Sequence, residues 1–188
     1  MTLRAWEHLG EESLVRYKVF DVRKARRRSP RTGADIGFFL VRTPDWVNIV
    51  AFTADEELIL VRQYRHGTGE FSLEIPGGLV DAHEPDPAAA AARELREETG
   101  YVATELRRLG AMTPNPAIFT NRCHAFLATG CHLAGDLQQD PGEDIELVLV
   151  PAARIDELVR SGAIDHALVL AALAMWRSAL PPRPLPPT

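Results

Sequence analysis

The sequence predicts a mixed α/β fold, and three observations carry that expectation. Short apolar runs of strand length fill the first 75 residues. A single capped helix rich in glutamate follows a Pro-Gly-Gly turn, and after it short strand-like runs give way to two helical segments. Strands, one central helix, more strands and then packing helices make an α/β order of elements. At 188 residues, with 46% hydrophobic and 25% charged content, the chain is long enough for one well-buried domain and has the composition of an ordinary globule.

The elements follow in order. Over residues 14–28, Val15, Tyr17 and Val19 alternate with Phe20 and Val22 on the other side, which predicts a strand partly covered on both faces. Ser29-Pro30-Arg31-Thr32-Gly33 is turn chemistry, and Ile36 to Val41 is the returning strand of a hairpin. Val47 to Phe52 and Leu58 to Tyr64 form a second hairpin around Thr53-Ala54-Asp55-Glu56-Glu57. Phe71 to Ile75 is a short strand broken by Pro76-Gly77-Gly78. Asp86 is a good helix N-cap, Pro87 a good first helical residue, and Gly100 a stop, so the helix spans about 87–99. Its apolar stripe is expected to be Ala88, Ala91, Ala92 and Leu95, opposite the carboxylates. Further strands are expected near 104–112, 122–130 and 145–150, then helices near 152–161 and 164–179 split by Gly162. The tail Pro181-Pro182-Arg183-Pro184-Leu185-Pro186-Pro187 cannot continue a helix. The expected domains are a hairpin segment over 1–44, a main domain over 45–180 and a Pro-rich end over 181–188.

Charge and composition narrow the function. A net charge of −5 gives no general attraction to nucleic acid or anionic lipid. The basic run Arg23-Lys24-Ala25-Arg26-Arg27-Arg28 reads as the solvated face and end of an edge strand. No run of about 18 apolar residues exists, and the first residues lack the apolar core of a secretory signal, so a cytoplasmic location is expected. Cys123 and Cys131 alone make neither a disulfide framework nor a zinc set, and are read as two buried thiols.

The chemistry concentrates on Arg93-Glu94-Leu95-Arg96-Glu97-Glu98. Glu94 and Glu98 are four residues apart and Glu97 is three from Glu94, so the three carboxylates share one helix face. Stacked like charges repel, and a divalent cation between them reverses the sign of the interaction. Hard oxygen ligands suit magnesium or manganese, which share their remaining positions with water and substrate phosphates. Metal-assisted chemistry on a phosphate ester or anhydride is therefore expected.

Gly78, Glu84, Arg93, Glu94, Leu95, Glu97, Glu98, Gly100 and Tyr101 together resemble the signature of the Nudix hydrolases, G-x5-E-x7-R-E-U-x-E-E-x-G-U. Eight residues, not seven, separate Glu84 from Arg93; Pro87 keeps its usual distance to Arg93, so the extra residue falls in the loop around His83-Glu84-Pro85-Asp86. The resemblance implies an α/β/α sandwich around a mixed sheet, covering about 45–180, with the N-terminal β-hairpin as an extension. It also implies that Glu94, Glu97, Glu98 and the Gly77 backbone hold Mg2+ or Mn2+, with Arg93 orienting a neighbouring glutamate. Val61-Arg62-Gln63-Tyr64-Arg65 followed by Leu73-Glu74-Ile75-Pro76 resembles the ADP-ribose and nucleotide-sugar branch, which makes Arg62, Arg65 and Glu74 candidate substrate contacts. Pro116 and Pro114 bracket the place where that branch often carries a proline, and Asn121-Arg122-Cys123-His124 is a further candidate pocket segment. In that branch the general base comes from a downstream loop, here Asp140 to Glu146, with Glu143 the first choice and Glu146 the second.

The expected activity is hydrolysis of the diphosphate bridge in a nucleoside diphosphate linked to a sugar. The alternatives are a nucleoside triphosphate clean-up hydrolase and a non-catalytic ADP-ribose sensor, against which the complete set of helical glutamates argues. The N-terminal hairpin of 14–41 implies, by the same resemblance, a segment exchanged between subunits of a homodimer.

Overall fold

A computed structural model describes residues 2–83, 86–138, 142 and 144–179. Glu84, Glu143 and the tail of 181–188 lie outside the described residues. The chain divides into two compact units: residues up to Pro44 together with Thr113–Arg122, and Asp45–Met112 together with the residues from Cys123 onward.

The first unit is a three-stranded antiparallel sheet of β1 (Glu7–Arg16), β2 (Asp21–Arg28) and β3 (Asp35–Arg42), in that order. The expected hairpin of β2 and β3 is present, and the run expected as one strand over 14–28 is two. The chain reverses between Tyr17, whose N–H bonds the Phe20 carbonyl at 2.8 Å, and Phe20, whose ring packs on that of Tyr17. No glycine or proline marks that turn, and the apolar alternation runs straight through it. The basic strand β2 is therefore central, not an edge. Two of its cations form ion pairs: Arg23 with Glu11 and Asp21, Arg28 with Asp35 and Glu7. The segment 113–122 is tied to β3, with the Val41 N–H donating to the Ile118 carbonyl at 2.7 Å.

The second unit contains, among the described residues, a seven-stranded mixed sheet in the order β10-β5-β4-β9-β7, with β6 on β5 and β8 on β9. These strands are β4 (Trp46–Thr53), β5 (Glu57–Arg65), β6 (Glu70–Glu74), β7 (Tyr101–Val102), β8 (Glu105–Met112), β9 (Cys123–Leu133) and β10 (Ile145–Pro151). β4 and β9 run parallel. Such central strands are buried on both faces and read as largely apolar runs, as Val47 to Phe52 does apart from Asn48.

One face packs Val47, Ile49 and Ile59 against Ala90, Ala91 and Leu95 of helix α1 (Pro87–Thr99). The other packs Val50, Phe52 and Leu60 against Val169 and Leu173 of α3 (Ala167–Ser178), with Ile155 of the short α2 (Ile155–Arg160) joining it. The sheet is thus the middle layer of an α/β/α sandwich. Cys123 and Cys131 are free and buried, and burial pushes their thiols up to about 12 and about 11. No helix among the described residues is long and apolar enough to cross a membrane.

Candidate active site

Helix α1 forms where local chemistry dictates. The Asp86 side chain accepts from the Ala88 N–H at 3.0 Å, Pro87 opens the helix, and Gly100 closes it in the left-handed region at φ 74° with its N–H on the Arg96 carbonyl. The buried face differs from the expected stripe: Ala90, Ala91, Leu95, Glu94 and Glu98 are inside, whereas Ala92 is exposed. Positions 90, 94 and 98 stack at four-residue intervals beside 91 and 95, so the carboxylates continue the packed face and do not oppose it. Glu98 is only 4% exposed.

The Pro76-Gly77-Gly78 turn lies over these carboxylates. It is strapped to β4 by the Val47 N–H on the Gly78 carbonyl and the Ile49 N–H on the Pro76 carbonyl, both at 2.9 Å. Glu98 Oε2 accepts from the Gly77 N–H at 2.9 Å. A Cβ on Gly78 would collide with the Glu94 carboxylate, and one on Gly77 with the Val47 carbonyl. Glycine is therefore required by close approach at Gly77, and at Gly78 a side chain would displace the Glu94 carboxylate. Arg93 spreads its guanidinium across the group: Nη1 donates to Glu97 Oε2 at 2.7 Å, and Nη2 to Glu94 Oε1 at 2.9 Å and to the Leu79 carbonyl at 3.1 Å. Among the described residues, no three acidic, His or Cys side chains stand close enough to enclose an ion by themselves.

On its other side the turn borders a cleft of about 920 Å³, whose lining includes Asn48, Arg65, Glu74, Gly77, Asp144 and His166. Glu74 is 3% exposed and takes both arms of the Arg65 guanidinium at 2.7 Å. His166 Nδ1 stands 3.2 Å from Glu74 Oε2, within ion-pair distance but off hydrogen-bond alignment. Burial pushes the Glu74 carboxyl up, but Arg65, and then His166, outweigh it and hold the group far below its ordinary 4.5. A fixed anion with a half-exposed guanidinium presents one oriented positive group to the cleft.

The other candidates are placed as follows. Arg62 and Glu146 face each other across β5 and β10 and form an exposed ion pair at 2.9 Å; neither borders the cleft. Gly142 and Asp144, which flank Glu143, do border it. Pro116 is exposed in the 113–122 segment of the first unit. Asn121, in that unit, donates to the Pro44 carbonyl at 3.0 Å. His124 is a satisfied interior histidine, with Nδ1 3.1 Å from Arg108 Nη2 and Nε2 2.8 Å from Asp45 Oδ2. Sequence reading missed Asp165 and His166, which sit just before α3 and line the cleft. Their only local signal was a polar pair at a helix start.

Comparison with known proteins gives the family and the fold. A family model for the NUDIX domain matches residues 42–173, well over half of the chain. An ADP-ribose pyrophosphatase of Mycobacterium tuberculosis is 31% identical over 96% of this chain and 89% of its own length. A CMP-5'-(N-acetyl-N-hydroxy-3-aminopropyl)phosphonate hydrolase of Streptomyces rubellomurinus is 34% identical over 69% of this chain, a match that spans 62% of that relative. A crystal structure of an ADP compounds hydrolase superposes with a TM-score of 0.83 at 28% identity, covering 95% of both chains.

Proposed function

This chain belongs to the Nudix hydrolase family, and from that premise we propose that it hydrolyses the diphosphate bridge of ADP-ribose or a related nucleotide sugar. The observation that carries the reading is the burial of Glu94 and Glu98 directly under the Gly77–Gly78 turn, at the edge of a cleft that also presents Arg65. Water adds across the bridge: its oxygen joins one phosphorus, the bridging oxygen leaves with the other, and the products are a nucleoside monophosphate and a sugar phosphate.

The donor set fits a hard divalent cation. Two buried carboxylates, Glu94 and Glu98, stand with the partly exposed Glu97 beside the Gly77 backbone. Pro76 and Gly78 spend their carbonyls on β4, and the Gly77 carbonyl between them is not used by that strand. Among the described residues no three acidic, His or Cys side chains converge, and magnesium and manganese commonly keep waters and share substrate phosphates. When bound, Mg2+ or Mn2+ neutralises charge on the phosphate oxygens and acidifies water.

The chain's own residues do the rest. Arg93 fixes the directions of Glu94 and Glu97, and the Gly77 N–H fixes Glu98. Arg65, held by Glu74, meets the anionic substrate in the cleft. Glu143 is the proposed base that takes the proton of the attacking water, supported by the position of its neighbours Gly142 and Asp144 on the cleft. Glu146 is second, because its carboxylate is engaged by Arg62. The N-terminal sheet, with its exposed apolar residues, is proposed to pair with a second copy of the chain. A cytoplasmic location agrees with the two unpaired thiols.

The test is a panel of ADP-ribose, GDP-mannose, other nucleotide sugars and nucleoside triphosphates, incubated with magnesium and separated by chromatography. ADP-ribose or a nucleotide sugar should yield the monophosphate and sugar phosphate. Consumption of triphosphates alone, with release of inorganic pyrophosphate, overturns the proposal; tight binding of ADP-ribose without turnover makes the chain a sensor.

A further inference from the structure

Asn48 is the polar exception in β4. Every other residue from Val47 to Phe52 is apolar and buried. Side chains alternate along a strand, so Asn48 shares the α3 side of the sheet with Val50 and Phe52, which belong to the core there. Asn48 is itself 9% exposed and borders the cleft, and its Nδ2 is buried with no hydrogen-bond partner among the described residues. Its Oδ1 is turned toward the glycine turn, 2.7 Å from where a Cβ on Gly77 would stand.

An amide N–H2 buried without an acceptor destabilises the fold, and a valine or leucine would pack this strand better. The amide group that carries this unmet donor lies, through its Oδ1, beside the turn that covers Glu94 and Glu98, where the proposed reaction places an anionic diphosphate. A neutral donor suits that place. A lysine or arginine here would pair with the helical carboxylates and compete with a cation, whereas an amide gives a hydrogen bond to phosphate without adding charge.

We propose that Asn48 is a substrate-positioning residue, whose Nδ2 donates to a phosphoryl oxygen of the nucleoside-diphosphate-linked substrate next to the Gly77–Gly78 turn. The inference rests on the hydrolysis proposed above. It makes a separable demand: the amide matters to the ligand and not to the fold.

Two variants test it on the full chain with magnesium, using whichever diphosphate compound the wild type consumes. Asn48→Leu keeps the size and removes the donor; Asn48→Asp keeps the shape and places an acceptor against phosphate. Asn48→Leu should melt at the wild-type temperature or above it, while kcat/KM falls about 10- to 100-fold, the range for a lost hydrogen bond to a charged group. Asn48→Asp should fall further than Asn48→Leu. A leucine variant with wild-type kcat/KM overturns the proposal. So does one that melts early or fails to fold, because the donor would then serve the fold through a buried water. If the wild type leaves every diphosphate compound intact, the proposed hydrolysis fails instead, and the contact is then read from magnesium-dependent binding of ADP-ribose to the same variants, where equal affinities overturn it.

Discussion

The two units concentrate different departures from the usual match of polarity and burial, although Phe71 of the hydrolase unit is also exposed and Asp21 of the N-terminal sheet is also buried. The N-terminal sheet leaves large apolar side chains in water, with Phe39 61% exposed and Tyr17, Val19, Phe20 and Ile36 also exposed. The hydrolase unit buries charge: Glu74, Glu94 and Glu98 are all inside. Exposed apolar patches and buried carboxylates are the informative departures from a globule's pattern. Exposed apolar surface can be covered by another protein surface, and a buried carboxylate can be compensated by a cation of the protein or by a bound one. In the hydrolase unit Glu74 is paired by Arg65 and lies beside His166, and the α1 carboxylates, held by Arg93 and the Gly77 N–H among other contacts, are the ones proposed to hold a metal.

The sharpest way to break this contrast is to neutralise one helical carboxylate. Glu98→Gln keeps an oxygen to accept from the Gly77 N–H, so the fold should persist, while kcat should fall by on the order of a thousandfold, as for loss of a principal electrostatic stabiliser. Steady-state turnover beside a thermal melt separates the two effects; retained activity removes Glu98 from the ligand set.

The opposite mismatch is tested by placing charge on the apolar sheet. Phe39→Glu should weaken self-association by about 10- to 100-fold, the equivalent of losing one buried aromatic side chain. Sedimentation across a concentration series reads this directly, and a wild-type chain that stays monomeric throughout refutes the proposed pairing.

The smallest effect sharpens the comparison within the hydrolase unit. Glu74 titrates below its ordinary 4.5 in the folded chain, so its pairing stabilises fully above that value. That contribution is lost as pH falls from about 4.5 toward the depressed native value. Glu74→Gln should cost about 1–3 kcal/mol near neutrality, a range that allows for the solvent around Arg65. It should also flatten the dependence of the melting temperature on pH below about 4.5. Parallel melts from neutral to acid pH check both, and an unchanged acid limb would mean that Glu74 does not carry it.

What was legible in the sequence was what local chemistry decides. Asp86, Pro87 and Gly100 bounded α1 correctly because capping involves only residues next to the helix ends. The runs at 47–52 and 58–61 point to buried strands because their largely apolar character, broken only by Asn48, needs no partner to be recognised. β1 escaped notice since Glu7 to Glu12 lacks apolar alternation, and its pairing with β2 closes across a turn with no turn residues. The site divides in the same way. Spacing and motif single out Glu94, Glu98 and Gly77 as candidates, and the structure brings the three together. The contact of His166 with Glu74 joins distant parts of the chain, and the unmet amide of Asn48 is visible only once burial is known.

The most direct measurement is a titration of Mn2+ into the wild type and Glu98→Gln, followed by electron paramagnetic resonance of the free ion. Wild type should take up Mn2+ with an affinity that rises when a nucleoside monophosphate is present, and the variant should bind at least about tenfold more weakly in both conditions. Equal uptake by the two proteins would show that the buried carboxylates of α1 are not what holds the ion, and would contradict the account at its centre.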